Sequence, residues 1–540
     1  MVKIAIKPNN RDGHDPNKLG LLSSAAVVSA LTLLSRVLGL VRDGVLLHCF
    51  GSGGMMDAFL VAFRLPNFVR RLFAEGAFSQ AFVPVLMDYQ AAAERTGDLA
   101  PLRGLLQRVT GALLLILGII TACGIWAAPW LVRGLAAGFV DSPAKFDAAV
   151  QLVRVMLPFG LLITLTALAG SVLQSYQRFV PPAFAPVVLN VMMIGAAWWV
   201  APHTAQPLVV VAWSVTLAGV VQLVLQLPAL RALGLLVLPL LDFAHTGVRR
   251  MLRLLLPAVF AVSVLQINLL LNTLLASLMV DGSVAWLYAA ERVSELPLGL
   301  IGVAIGTVIL PVLARTASAD TPTANFAQTL DWAVRLVALI GLPATGALMV
   351  ISNVLMVTLF AHGEFSLYDA QMAGLALKGM AAGLLGFMLI KVFAPAFFAR
   401  QDSRTPVRVG MAAVAVNALA CALLIALFHR LGIALHAALA FATSASALAN
   451  AALLYTALHR RGVYRLTRTW RRFGWQLLAA NTAMLLALLI GVAYFPLTGS
   501  HMTQILALAG LCVGGALVYA VTLLAVGVRL TVLTPPLLAK

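Results

Sequence analysis

Apolar stretches of about twenty residues recur along this chain from Leu21 to Leu530, and each is long enough to cross a bilayer as a helix. Inside lipid every backbone N–H and C=O must be satisfied by the chain itself, so only helices and closed barrels span. A barrel would need shorter strands that alternate apolar with polar residues, and these runs do not alternate. Charged residues make up only 10% of the 540, against about 25% in soluble proteins, and mean hydropathy is +0.98. The expected fold class is therefore an all-α polytopic membrane protein.

Hydropathy places fourteen helices near 22–50, 55–87, 105–133, 147–176, 182–201, 207–230, 248–280, 283–314, 327–353, 370–399, 406–429, 433–458, 474–496 and 502–528. Charges interrupt the first, second and eighth. Lys and Arg gather in alternate loops, most densely in HRRGVYRLTRTWRR after the twelfth helix, while GSGGMM, APHTAQP, MVDGS and FAHGEFSLYD carry none. Arg133, Lys145 and Arg430 break the trend mildly. By the positive-inside rule both termini face the cytoplasm, and the loops account for most of the net charge of +18. That distribution argues against a nucleic-acid partner.

The chain repeats itself. Residues 58–86 lie over 285–313 at an offset of 227, ending in AFVPVL and VILPVL, and SYQRFVPP (175–182) lies over ARQDSRTP (399–406) at an offset of 224. Six helices separate the members of each pair, so the halves run parallel, related by an axis along the membrane normal. The expected organisation is an N-terminal tail (1–19), a first six-helix lobe (20–231), a second (232–460), and two further helices with the C-terminus (461–540), the lobes enclosing a central cavity.

Ionisable groups within the spans cluster. The first helix has Arg36, Arg42 and Asp43; the second has Asp57, Arg64, Arg70, Arg71 and Glu75; the eighth has Glu291, Arg292 and Glu295; the tenth adds Lys378 and Lys391. Each charge at mid-bilayer costs about 2.5–3.5 kcal/mol, so such groups face a bundle interior or a wet cavity. A purely structural account would pair Arg42 with Asp43, Arg71 with Glu75 and Arg292 with Glu295. Six arginines against five acids in three helices leave positive charge over. Arginine stays protonated and its planar fork fits phosphate bidentately, so the cluster points to an anionic ligand, most simply a phosphate or diphosphate. Pro66, Gly76, Pro297, Gly299, Gly302 and Gly306 soften the same helices, as at the binding sites of transporters.

No Walker A loop, HExxH or dense His/Cys cluster is present, so no enzyme signature, ATP site or metal is expected. Transport would draw on the membrane potential or an ion gradient. Cys49, Cys123, Cys421 and Cys512 stand singly in apolar runs and read as small hydrophobes.

SRVLGLVRD (35–43), DAFLVAFRLPNFVRRLFAEGAFSQAFVPVL (57–86) and YAAERVSELPLGLIGVAIGTVILPVL (288–313) resemble the MurJ (MviN) lipid II flippase family of the multidrug/oligosaccharidyl-lipid/polysaccharide exporter superfamily. The likeness runs over residues 20–530. It implies a V-shaped flippase of the bacterial inner membrane, working as a monomer by alternating access without ATP. Its substrate would be undecaprenyl-diphosphate-linked disaccharide-pentapeptide, and its partners membrane lipids and the cell-wall synthesis and division machinery. It maps essential arginines onto Arg36, Arg42, Arg70 and Arg292, with Ser35 beside the first. Asp57 and Glu295 map onto acids tied to gating or arginine positioning, with Asp43, Glu75 and Glu291 as further ion-pair candidates. It also implies a lipid-tail groove at 474–528. On a straight helix Asp57, Arg64, Arg71 and Glu75 share a stripe that excludes Arg70, so Arg64 and Arg71 stay in reserve. Some relatives bind sodium through an acid on the seventh helix; here that helix has Gln266, Asn268 and Asn272 and no acid, so sodium is left open. The alternatives are an exporter of another polyprenyl-diphosphate glycan, a multidrug exporter, and a scaffold that transports nothing.

Overall fold

A computed structural model describes residues 16–73, 77–304, 324–496 and 499–528. Glu75, Gly76, Gly306, most of the N-terminal tail and the repeat end at 308–313 lie outside them. The first half contains α1 (Pro16–Phe50), α2 (Gly54–Phe73), α3 (Ala77–Thr96), α4 (Ala100–Trp126), α5 (Ala128–Leu135), α6 (Pro143–Met156), α7 (Pro158–Ser175), α8 (Val180–Gly195), α9 (Pro207–Val224) and α10 (Leu227–Ala232). The second contains α11 (Thr246–Ser277), α12 (Ser283–Ala304), α13 (Ala324–Phe360), α14 (Leu367–Ala381), α15 (Leu384–Phe398), α16 (Arg404–Leu431) and α17 (Leu435–Arg460). Then come α18 (Thr469–Ala493) and α19 (His501–Ala525).

Among the described residues three expected helices are broken in two, and proline or glycine stands at each break. Pro129 and Pro158 sit in the first turns of α5 and α7, where a missing N–H does no harm, although the same residue could not continue the preceding helix's hydrogen-bond ladder. The tenth expected helix bends by 42° between α14 and α15. There Gly383 lets Ser444 of α17 approach to where a Cβ would stand, and Ser444 Oγ donates to Gly379 O at 2.6 Å.

Among the described residues nine helical segments are long and apolar enough to cross a membrane, ten with the bent α14–α15 pair. That is fewer than the fourteen expected. The shortfall falls on the charge-bearing or interrupted helices α1, α2, α3, α11 and α12.

The second repeat match has a backbone counterpart. Among the described residues, Gln177 (φ 60°) and Gln401 (φ 59°) are the two non-glycine residues in the left-handed region. They stand 224 positions apart and close the same motif. Arg178 N donates to Leu173 O at 2.8 Å, and Asp402 N donates to Phe397 O at 3.0 Å, the 6→1 bond that ends a helix. The second hinge is further tied by Asp402, which accepts from Thr405 N (3.0 Å), Thr405 Oγ1 (2.6 Å) and Arg461. Partial burial alone would raise its carboxyl pKa, but these donors outweigh it and hold the carboxyl well below the usual range.

The halves meet at the arginine-poor end. Glu364 N donates to His48 O at 2.8 Å. Asp369 accepts from Ser52 Oγ at 2.5 Å and Trp286 Nε1 at 2.9 Å. Gly363 (φ +65°) is needed there, because a Cβ would lie 2.4 Å from His48 O. At the basic end α11 packs along α3, with Arg250 and Asp88 paired at 2.6 Å.

A left-handed non-glycine residue carries about 1–2 kcal/mol of strain that glycine relieves. Gln177→Gly and Gln401→Gly are each expected to raise thermal stability slightly in detergent, and alike. A gain at one hinge with a loss at the other would sink the equivalence of the two.

Candidate functional site

Asp43 sits where α1, α8 and α12 meet, and it is 1% exposed. A carboxylate so placed needs cations and donors around it, and the three helices supply them. Arg42 donates to its Oδ1 from Nη2 at 2.6 Å and Nε at 2.9 Å. Tyr288 Oη donates to the same oxygen at 2.8 Å. Arg292 Nε lies 2.9 Å from Oδ2, an ion pair whose angle falls short of a hydrogen bond. Arg42 is itself buried. Its remaining donors reach Asn190 Oδ1 at 3.1 Å and Tyr288 Oη at 3.2 Å, and its guanidinium lies over the Phe63 ring at 5.5 Å. Tyr288 and Arg292 are one turn apart on α12, which is why one phenol reaches both arginines.

From this buried core the cluster runs outward. Arg292 Nη1 donates to Glu295 Oε2 at 3.0 Å. Arg71 of α2 reaches the other oxygen of the same carboxylate at 3.4 Å and Gln266 of α11 at 3.3 Å. Glu295 is 47% exposed, whereas Asp43 is shut from solvent. Deeper on α2, Arg64 pairs with Glu291 at 3.5 Å. Arg64 and Arg71 are seven residues apart and face α12 together, so the straight-helix stripe holds despite Pro66. Arg70 donates to Asn67 Oδ1 on its own helix at 3.4 Å.

Arg36 lies against α12 further along. Its Nη1 is 1.8 Å from where a Cβ on Gly299 would stand, so the bare glycine leaves room for the guanidinium in this position. Lys391 of α15 donates to Leu298 O at 3.1 Å beside it. Ser35 takes part through its carbonyl, which accepts from Asn190 Nδ2 at 3.0 Å.

Asp57 is placed elsewhere. It is 1% exposed at the arginine-poor end and accepts from the backbone N–H of Gly282 (2.8 Å) and Ala285 (2.9 Å). It thus caps the first turn of α12 from another helix. Its nearest cation is Lys145 Nζ, at 3.9 Å, which binds Asp281 at 2.6 Å. The partners of Asp57 are thus two backbone N–H groups of the α12 start and a lysine.

The structure therefore brings Arg42, Asp43, Arg292, Glu295, Arg71, Arg64 and Glu291 into one chain of contacts. It sets Arg36, Ser35 and Arg70 at its margin and Asp57 at the far end of α12. Asn190, Tyr288 and Gln266 were missed by sequence reasoning. Neutral side chains in apolar helices give no charge signal, though Tyr288 lies one turn before Arg292 and was findable on that ground. Among the described residues no group of three His, Cys, Asp or Glu is placed to hold a metal. Separately, an apolar cavity of about 500 Å³ lies between α13, α18 and α19, lined by Leu339, Pro343, Met484, Leu511, Tyr519 and Leu523 among others.

The family model described as lipid II flippase MurJ matches residues 46–510. A probable lipid II flippase MurJ of Vibrio cholerae is 43% identical over 94% of this chain and 97% of its own length. A lipid II flippase MurJ of Burkholderia cenocepacia is 39% identical over 86% and 88%. Among solved structures, lipid II flippase MurJ in an inward closed conformation superposes with a TM-score of 0.75 at 21% identity, covering 92% of this chain and 98% of that one.

Removing the anion from a buried pair leaves uncompensated charge and costs about 3–5 kcal/mol, whereas an exposed pair contributes at most about 1 kcal/mol. Asp43→Ala is thus expected to lower thermal stability in detergent sharply, and Glu295→Ala barely. Equal effects would overturn the view of Asp43 as the anchor.

Proposed function

The chain belongs to the lipid II flippase MurJ family, and we infer that it carries lipid II across the bacterial inner membrane by alternating access. In this reading the diphosphate of the substrate enters the cationic cluster between α1, α2 and α12. The observation that carries it is the Glu295 bridge. One half-exposed carboxylate joins Arg71 to Arg292, in the place where a diphosphate oxygen, offering more charge in the same geometry, would take over both. Arg36 and Lys391 line the approach and add attraction at longer range, while Arg70, onto which the family resemblance maps an essential arginine, reaches the head group directly in this reading.

Fourteen spans fit this reading. The ten apolar spans are joined by α1, by α2 with α3, by α11 and by α12, of which α1, α2 and α12 turn paired charges toward one another. The lobes are then residues 20–231 and 232–460 around a V-shaped cavity, with both termini cytoplasmic. The matching hinges at Gln177 and Gln401 support two parallel lobes. Contacts at the arginine-poor end, with Asp57 gripping the start of α12, would open and close as the lobes rock. The apolar cavity against α18 and α19 suits the polyprenyl tail, since each buried CH2 contributes about 0.8 kcal/mol. A multidrug exporter of organic cations would want acids in this cavity, and the surplus is of arginine. Another polyprenyl-diphosphate glycan remains the second reading, because the diphosphate is common to both.

The test is complementation of a flippase-depleted bacterium, with lipid II in the inner leaflet measured. The wild-type chain is expected to restore growth and clear the accumulated lipid; failure despite good expression would favour the second reading. Arg70→Ala and Arg292→Ala are each expected to abolish rescue while the protein still inserts. Arg71→Ala, whose partner is half-exposed, is expected to weaken it. Full rescue by both Arg70→Ala and Arg292→Ala would sink the cationic-cavity reading.

A further inference from the structure

A second polar cluster lies away from the arginines, among α11, α16 and α17. Asn272 Nδ2 donates to Thr443 Oγ1 at 2.7 Å, and Thr443 Oγ1 donates onward to Leu439 O at 2.8 Å. Asn272 Oδ1 accepts from Asn417 Nδ2 at 3.1 Å, with Cys421 Sγ at 3.9 Å. Asn417 is 0% exposed and Cys421 1%. Within this region the oxygens come from two amides, a hydroxyl and a backbone carbonyl. They converge from three helices, and the side chain of Asn417 keeps a buried Oδ1 that accepts no hydrogen bond.

Asn272 stands on the seventh expected helix, the one on which the family resemblance implies a sodium-binding acid in some relatives. The set offers four oxygens, fewer than the six or more that a hard cation takes, and it is neutral throughout. Burying an uncompensated cation costs several kcal/mol even after relaxation, and here no carboxylate offsets that cost. The oxygen best placed for an ion, Asn272 Oδ1, is already occupied by Asn417. The residues present do not fit sodium.

We propose that this three-helix knot is a neutral replacement for a cation site: it fastens α11 to α16 and α17 without sodium, and one added carboxylate would convert it into a sodium site. Its bearing on transport rests on the flippase reading. α11 also presents Gln266 to Arg71, so what fixes α11 helps to fix one wall of the arginine cluster. Hydrogen bonds hold it there in any salt, and the conformational cycle runs without the ion.

The experiment uses the full-length protein in detergent, with radioactive sodium binding and thermal unfolding compared in sodium and choline chloride at equal ionic strength. Wild type is expected to show no saturable sodium binding and the same melting temperature in both salts. Asn272→Asp, or Cys421→Asp should the first not fold, is expected to gain saturable binding at least about tenfold above wild type and a sodium-dependent rise in melting temperature. Saturable sodium binding by wild type that is lost in Asn417→Ala would overturn the proposal, and so would folded acidic variants that bind no sodium. Flipping in proteoliposomes should proceed equally in both salts. No flipping in either would count against the flippase reading while leaving the binding result to decide the knot.

Discussion

Arginine cannot shed its charge when buried, so the fold around Arg42 is obliged to supply an anion. That anion is Asp43, its neighbour in sequence, and the need to surround both dictates much else. Adjacent residues on a helix point about 100° apart, so one guanidinium must curl back while another helix covers the carboxylate. Asn190 of α8 takes the spare donor of Arg42. α12 brings Tyr288 and Arg292 to the carboxylate. Replacing the ion pair by apolar side chains of equal volume would often be neutral or stabilising in an ordinary protein. Its presence here therefore fits a requirement for placed positive charge better than a requirement for stability.

The position of α12 is set from its other end. Asp57 receives the N–H groups of Gly282 and Ala285, which the helix cannot satisfy within itself, and its negative charge suits the positive end of the helix dipole. Ala285, Tyr288 and Arg292 fall on one face of α12. A helix clamped at Ala285 therefore delivers Arg292 to Asp43 at a fixed depth and rotation. Asp57 can thus act on Arg292, seven residues beyond the Ala285 N–H that it holds, without touching it, by fixing the register of the helix that carries it.

Much of this was legible in the sequence, for physical reasons that differ by feature. Apolar length marks a span because lipid admits little else, so the ten apolar crossings were plain. Charged helices are harder, since their polarity is hidden only by the partner they meet. The repeat was visible as weak similarity at 175–182 and 399–406, and it gained weight from Gln177 and Gln401, whose strained backbone no sequence pattern announces. Breaks at Ala127 and Leu157 were foreshadowed by the prolines that follow them. The contact of Arg71 with Glu295 of α12 agrees with the straight-helix stripe, although the family resemblance places Arg71 in reserve behind Arg70. What could not be read was tertiary: that Asp57 caps a helix more than two hundred residues away, or that Asn190 and Tyr288 complete an arginine's donors. Neutral residues in apolar helices are indistinguishable from packing until a neighbour appears.

Arg292 holds two carboxylates in very different surroundings, and the contrast bears on how such a cavity works. Asp43 has no access to water, so its departure would strand two guanidinium groups and no ligand could restore the balance from solvent. Glu295 is half in water, where an ion pair contributes little and its oxygens can be rehydrated when released. In the proposed reading, a substrate phosphate competing for Arg292 would therefore face a small opposing free energy at Glu295 and a large one at Asp43. The exchange can take place only on the outer side of the arginine, while the inner side keeps it aimed. A site that must both grip an anion and let it go on the far side of the membrane needs this asymmetry. An arginine with only buried partners would be committed to them, and one with none would be free to turn away.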